Sequence, residues 1–187
     1  DAVRAFVPSH LHVRLLRRQG ARGLASAASE GWSAARGRIL GLMDGDGQHD
    51  PDVLAKLLKA LEAQGADIAV ASRYTAGVHT GLSGFRHALS RSGTALAKLV
   101  TGVGTTDPMS GCFLFRREWW DAARGRISPV GYKILLELAL SGSRKPKVVE
   151  VPTALRLRFA GESKLDVRVI ADLAAQLHPP LLGHPGG

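Results

Sequence analysis

Ile39-Leu40-Gly41-Leu42-Met43-Asp44-Gly45-Asp46-Gly47-Gln48-His49-Asp50-Pro51 is the stretch on which the fold turns. Five mostly apolar residues run straight into an acidic turn. Asp50 then reads as a helix N-cap with Pro51 at the first helical position, and Gly65 stops the helix after Gln64. A strand that ends in a polar turn and re-enters a helix is the unit of an open α/β sheet, and such sheets hold ligands at their carboxyl ends. Working outward, residues 12–16 read as a strand, 23–36 as a helix, and 67–72 as a further strand. This alternation predicts a parallel α/β sheet. Downstream the rhythm changes. Residues 73–84 and 101–110 read as loops around an amphipathic helix at 85–100, and 111–116 as a strand. Helices are expected at 117–124, 129–140 and 165–177, with two strands around Pro152 within 147–159.

The 187 residues, 45% hydrophobic and 22% charged, suit one globular domain, expected over 1–178 with a disordered Pro/Gly tail at 179–187. No apolar run approaches the ~20 residues of a spanning helix. The opening Asp1-Ala2-Val3-Arg4 lacks the layout of a signal peptide, and the single Cys112 makes no internal disulfide, so a cytoplasmic setting is expected. The net charge is +9, from 25 Lys+Arg (18 of them Arg) against 16 Asp+Glu. That field favours anionic partners, and Arg is the better fork for phosphate. An Arg excess from GC-rich codons explains the count equally well. A nucleic-acid-binding module fits less: aromatics are 5%, no zinc-finger, RNP or helix-turn-helix pattern occurs, and the acidic turn repels phosphate unless metallated.

Within that turn Asp44, Asp46 and Gln48 alternate, and Gly45 and Gly47 let their oxygens converge. Oxygen donors suit Mg²⁺ or Mn²⁺. An EF-hand does not fit, because His49 replaces its Gly and Ala55 its bidentate Glu. A capped turn accounts for Asp50 but leaves Asp44 and Asp46 unexplained. Arg86 and Ser90 are four apart on one helical face and suit a single anion; Arg73 and Arg158 sit on loops. Lys133 opens a helix whose N–H groups favour phosphate. Asp107, before Pro108, reads as a turn starter. Arg22-Gly23 and Glu162-Ser163-Lys164 read as helix entries, His49 as a hydrogen-bonded structural histidine, and Cys112, Trp119 and Trp120 as core.

The Met43-to-His49 motif resembles the acidic metal motif of family 2 glycosyltransferases with a GT-A fold. Ala71-Ser72-Arg73-Tyr74, Asp107-Pro108-Met109-Ser110-Gly111 and Arg158-Phe159-Ala160-Gly161-Glu162-Ser163-Lys164-Leu165 are similar to motifs of the dolichol/polyprenyl-phosphate mannose synthase branch. The resemblance implies a mixed, mainly parallel sheet flanked by helices, lacking the first strands, since the family's opening Pro-x-Tyr-Asn-Glu motif and paired Asp have no counterpart here. It implies a metal at Asp44, Asp46 and Gln48, and catalytic roles for Asp44, Asp46 and Asp107. Arg73, Arg86, Ser90 and Arg158 would take the acceptor phosphate, and Lys133, Lys164, Arg22 and Gly23 the donor side.

The implied reaction moves mannose from GDP-mannose onto a polyprenyl or dolichyl monophosphate with inversion, at the cytoplasmic face of a membrane. Peripheral contact with an anionic surface is expected, and a membrane-anchoring partner subunit is allowed. The acceptor, with a second pKa of ~6 by analogy with phosphorylated side chains, needs no general base at pH 7. Glucose transfer and an inactive remnant that binds only lipid phosphate stay open as alternatives. With the nucleotide-binding strands missing, these residues alone are expected to turn over poorly, and the strand at 13–16 or 39–43 to be left as an exposed edge.

Overall fold

A computed structural model describes residues 4–5, 7–10, 12–19, 23–75, 102–127 and 133–156. Arg22, Arg86, Ser90, Arg158 and Lys164 lie outside them, as do the helices expected at 85–100 and 165–177 and the tail at 179–187. After a short 3-10 turn at Val7–Ser9 come α1 (Leu24–Ala34), β1 (Ile39–Met43), α2 (Asp52–Ala63), β2 (Ile68–Ser72), β3 (Cys112–Arg116), α3 (Arg117–Ala123), α4 (Ile134–Leu140) and β4 (Val148–Pro152).

The strands form one mixed sheet in the order β1-β3-β2-β4. β2 pairs in parallel with β4, while β3 runs antiparallel to both β1 and β2. Three of the four strands therefore share a direction and β3 is inserted against them. Alternation along the central strands sends side chains to opposite layers. Ile68, Val70, Phe113 and Phe115 join α1, α3 and α4 in one core. Ala69, Ala71 and Cys112 pack with Val53, Leu57 and Leu61 of α2 in the other. Trp32 anchors the first layer, edge-on to Phe115 at 4.9 Å and to Trp120 at 5.2 Å, with its Nε1 donating to Gly41 O at 2.8 Å. Trp119, Trp120 and Cys112 are core residues, as expected.

Two sequence expectations are corrected. Residues 12–16, expected as a strand, form none, because among the described residues no strand pairs with them and an unpaired extended run is not held as β structure. They are tied by arginines instead: Arg14 donates to Ala34 O, and Arg18 donates to Gly23 O and Ser26 Oγ at the start of α1. β4 ends at Pro152, and among the described residues 153–156 form no second strand. One further ladder bond, Thr153 N to Ser72 O, closes it, and the chain then turns toward Gln48 through Arg156. Pro152 sits in the last strand of the order, where a missing N–H is tolerated.

Asp67, at the entry to β2, supports the opposite end of the sheet from the site. Arg144 forks onto its two oxygens at 2.7 Å each, and Lys147 N donates to Oδ2 at 2.7 Å. Burial alone would raise the Asp67 pKa, but these donors outweigh it and hold it below its ordinary 3.8. A depressed carboxyl contributes stability above its unfolded pKa and loses it as pH falls through the folded one. The stability gap between the parent and Arg144→Ala is therefore expected to be full near pH 7 and to shrink below pH 3.8. Urea midpoints across that range check this; a gap that persists unchanged to pH 2.5 contradicts it.

Candidate functional site

The acidic turn leaves β1 at Asp44, whose backbone N–H donates to Gly111 O at 2.9 Å. Its carboxylate lies against the Cα of Gly111 so closely that a Cβ there would overlap Oδ2 and Cγ. Only glycine at 111 allows this approach. Asp46 Oδ1 accepts from Gln48 N at 3.1 Å, closing an Asx turn through Gly47, which adopts φ 77°. Gln48 Nε2 donates to Arg156 O at 3.2 Å, and Arg156 N returns a bond to Gln48 O at 2.8 Å. Arg156 also pairs with Asp50, whose other oxygen accepts Asp52 N at 3.1 Å where α2 begins.

Arg73 follows β2 directly and faces Asp107 across the loop of residues 102–110. Its Nε and Nη2 donate to Oδ2 and Oδ1 at 2.7 Å each, and its backbone N–H adds a bond to Oδ2 at 3.2 Å. Asp107 is 1% exposed and both its oxygens are engaged, so it orients Arg73 from below. The guanidinium also stands 5.3 Å over the Tyr74 ring and is 24% exposed. Burial alone would lower the Arg73 pKa, but Asp107 raises it above the ordinary value, and Asp44 adds to this. Two of the five guanidinium N–H groups are used on Asp107, which leaves three on a partly exposed cation.

His49 is buried but not hydrogen-bonded as a structural histidine should be: its Nδ1 has no partner. Burial lowers its pKa, against the pull of Asp44, Asp46 and Asp107, with Arg73 lowering it further. Cys112 is pushed up to about 11 by burial and then by Asp44. Asp44 bonds to Gly111, Arg73 to Asp107 and Ser110 to Ala71 O, so the loop of residues 107–111 joins the acidic turn to Arg73 at the carboxyl ends of β1 and β2, where the sheet was expected to hold its ligand.

Of the sequence-derived candidates, Asp44, Asp46, Gln48, Arg73 and Asp107 are thus assembled. Lys133 is at the N-cap position of α4 and only 5% exposed, so its ammonium lies in the interior. Gly23 precedes α1 with φ 121°. Sequence reasoning missed Arg156 and Glu150, whose partners are remote in the chain. Glu150 Oε1 accepts from Thr105 Oγ1 and Thr106 N at 2.6 Å each and from Thr106 Oγ1 at 2.9 Å.

Among the described residues no group of three or more His, Cys, Asp or Glu is placed to hold a metal ion. Two carboxylates and an amide on one turn remain a fitting donor set for a hard cation of the kind that completes its shell with phosphate oxygens and water. The bare Cα of Gly111 is what leaves room for the Asp44 carboxylate beside β3.

The chain is 34% identical over 169 residues to the dolichol-phosphate mannosyltransferase of Pyrococcus furiosus, covering 89% of this chain and 47% of that protein. Identity is 35% over 180 residues to the dolichol-phosphate mannosyltransferase of Mycosarcoma maydis, covering 95% and 60%. It is 32% over 162 residues to the polyprenol monophosphomannose synthase of Mycolicibacterium smegmatis, covering 84% and 61%. The chain thus spans about half the length of the first of these relatives and about three fifths of the others. In fold it is similar to glucosyl-3-phosphoglycerate synthase of Mycobacterium tuberculosis, solved with phosphoglyceric acid, at a TM-score of 0.57 and 19% identity over 86% of this chain and 57% of that one. A second structure of that enzyme, with Mn²⁺, UDP-glucose and phosphoglyceric acid, gives a TM-score of 0.54 at 17% identity over 86% of this chain and 56% of that one. The profile of Glycosyl transferase family 2 matches residues 1–122, which carry β1, the acidic turn, Arg73 and the loop to Gly111, and the chain belongs to that family.

Proposed function

We propose that the chain carries the metal- and acceptor-handling part of a polyprenyl-phosphate mannosyltransferase, which transfers mannose from GDP-mannose to a polyprenyl or dolichyl monophosphate with inversion. The observation that carries this reading is the loop of residues 107–111, which bonds at Gly111 to Asp44 of the acidic turn and at Asp107 to Arg73, a cation with three N–H groups left for an anion. One side of such a site suits a divalent cation and the other a phosphate monoester. The names of the relatives support the same chemistry. Mg²⁺ or Mn²⁺ at Asp44, Asp46 and Gln48 would neutralise the pyrophosphate of the donor. Arg73, together with Arg86, Ser90 and Arg158, would grip the acceptor phosphate and aim one oxygen at the anomeric carbon. That phosphate is already an anionic nucleophile, so the residues contribute positioning and charge neutralisation rather than proton abstraction. Lys133, Lys164, Arg22 and Gly23 belong to the donor side in this reading.

The test is transfer of labelled mannose to a short polyprenyl monophosphate, with UDP-glucose as the competing donor. Asp46→Ala should abolish the calorimetric signal of Mn²⁺ with GDP, and unchanged heat would refute the metal assignment. Glucose transfer in place of mannose would select the other donor.

Among the described residues no helix is long and apolar enough to cross a membrane. With a net charge of +9, the chain is expected to reach its lipid acceptor by surface attraction, at ~1 kcal/mol per Lys or Arg close to an anionic leaflet. Flotation with phosphatidylserine vesicles should succeed at low salt and fail at high salt. Flotation that ignores salt would contradict a surface-charge mode.

A further inference from the structure

Glu150 lies on β4, away from every motif discussed so far, yet its Oε1 collects three hydrogen bonds from Thr105 and Thr106. The hydroxyl bond from Thr105 at 2.6 Å has the length of an O–H donor to an ionised oxygen. The direction of the surrounding bonds follows from the single proton on each hydroxyl. Thr105 Oγ1 gives its proton to Glu150 and accepts Asp107 N–H at 3.0 Å. Thr106 Oγ1 also gives its proton to Glu150, so in its 2.8 Å contact with Ser72 the serine is the donor. Ser72 Oγ in turn accepts Tyr74 N–H at 3.2 Å. Two one-way chains therefore converge on one carboxylate oxygen: Asp107 N–H through Thr105, and Tyr74 N–H through Ser72 and Thr106.

The heads of these chains are the two residues that hold the Arg73 guanidinium. Asp107 takes its Nε and Nη2, and the Tyr74 ring underlies it at 5.3 Å. Chains of this kind polarise along their length, so the charge at the foot strengthens the bonds at the head.

We propose that Glu150 is a positioning residue for Arg73, fixing both supports of its guanidinium through Thr105, Thr106 and Ser72 so that the remaining N–H groups meet a phosphate in a set orientation. This rests on the reading of Arg73 as an acceptor-phosphate contact.

Two measurements test it. The first needs no ligand: solvent exchange of the Arg73 Nε–H, followed by ¹⁵N NMR. Glu150→Ala should speed exchange about tenfold, the equivalent of losing one ordinary hydrogen bond's protection. Thr106→Val and Glu150→Gln should produce smaller increases, and they carry the test if Glu150→Ala does not fold. Unchanged exchange in the folded variants overturns the proposal. The second is a double-mutant cycle on the affinity for a short polyprenyl monophosphate. Glu150→Ala should weaken binding about tenfold in the parent and less than about twofold when Arg73 is already alanine. Equal losses in both backgrounds would mean Glu150 acts on the fold at large, and would overturn the proposal. If the parent binds no lipid phosphate but exchange at Arg73 still rises in the Glu150 variants, the relay stands and the acceptor reading fails.

Discussion

Gly111→Ala is expected, on the proposed function, to cut mannosyl transfer by about 100-fold or more, the size of loss that follows a displacement of a reacting group by about an ångström. The new methyl would occupy the space of the Asp44 carboxylate, which must rotate away or push β3 from β1. The backbone bond from Asp44 N to Gly111 O resists the second response, so the carboxylate is the part that moves. The stability cost should be modest, about 1–3 kcal/mol for an overpacked contact. The diagnostic pattern is a folded protein whose Mn²⁺ and GDP titration heat is lost together with transfer. Parent-like titration and rate would mean that the Asp44 carboxylate has no part in the donor site.

Asp107→Ala is expected to give the largest loss of stability. It removes the acceptor of three donors and leaves the Arg73 cation, 24% exposed, without its hydrogen-bonded counter-charge. Breaking a buried pair from one side costs about 3–5 kcal/mol, and the partial exposure of Arg73 places the expected cost near 3. For a domain of this size that lowers Tm by about 6–12 °C. Asp107→Asn, which keeps one acceptor oxygen, should fall between the parent and alanine. Affinity for a polyprenyl monophosphate should drop in both variants, because a guanidinium that is no longer held cannot present its remaining N–H groups in one orientation. Thermal melts by circular dichroism and titration with the lipid phosphate check the two effects separately. A melt within a degree or two of the parent would show that the pair contributes little to the fold.

The elements on either side of the acidic turn were legible from local signals. β1, α2 and β2 lie within a residue or two of where hydrophobic period, Asp50-Pro51 and Gly65 put them. Each of those signals acts over a few residues: a cap bonds to the next turn, and a strand's alternation is read from its own side chains. The same holds for the acidic turn, since the Asx bond from Gln48 N to Asp46 and the positive φ of Gly47 are satisfied inside seven residues. Residues 12–16 show the limit of such reading. Their composition suits a strand, but a strand exists only where a neighbour accepts its hydrogen bonds, and in this structure two arginines hold the segment instead.

The sequence by itself determined the strand–turn–helix unit, the acidic donor set and the charged residues available for phosphate. The tertiary structure alone decided which of them meet. Nothing in the period of 112–116 states that β3 runs against β1 and β2, because antiparallel and parallel strands share the same alternation. Arg73 finds Asp107 across 34 residues, Thr105 finds Glu150 across 45, and Gln48 finds Arg156 across 108. Those pairings are made by strand order: the insertion of β3 between β1 and β2 brings Gly111 against Asp44, and the parallel pairing of β2 with β4 brings Glu150 level with Val70. Local propensity chooses the residue types, but a carboxylate has no fixed partner until the sheet has closed around it, and the cost of burying it unpaired is what then selects the partner.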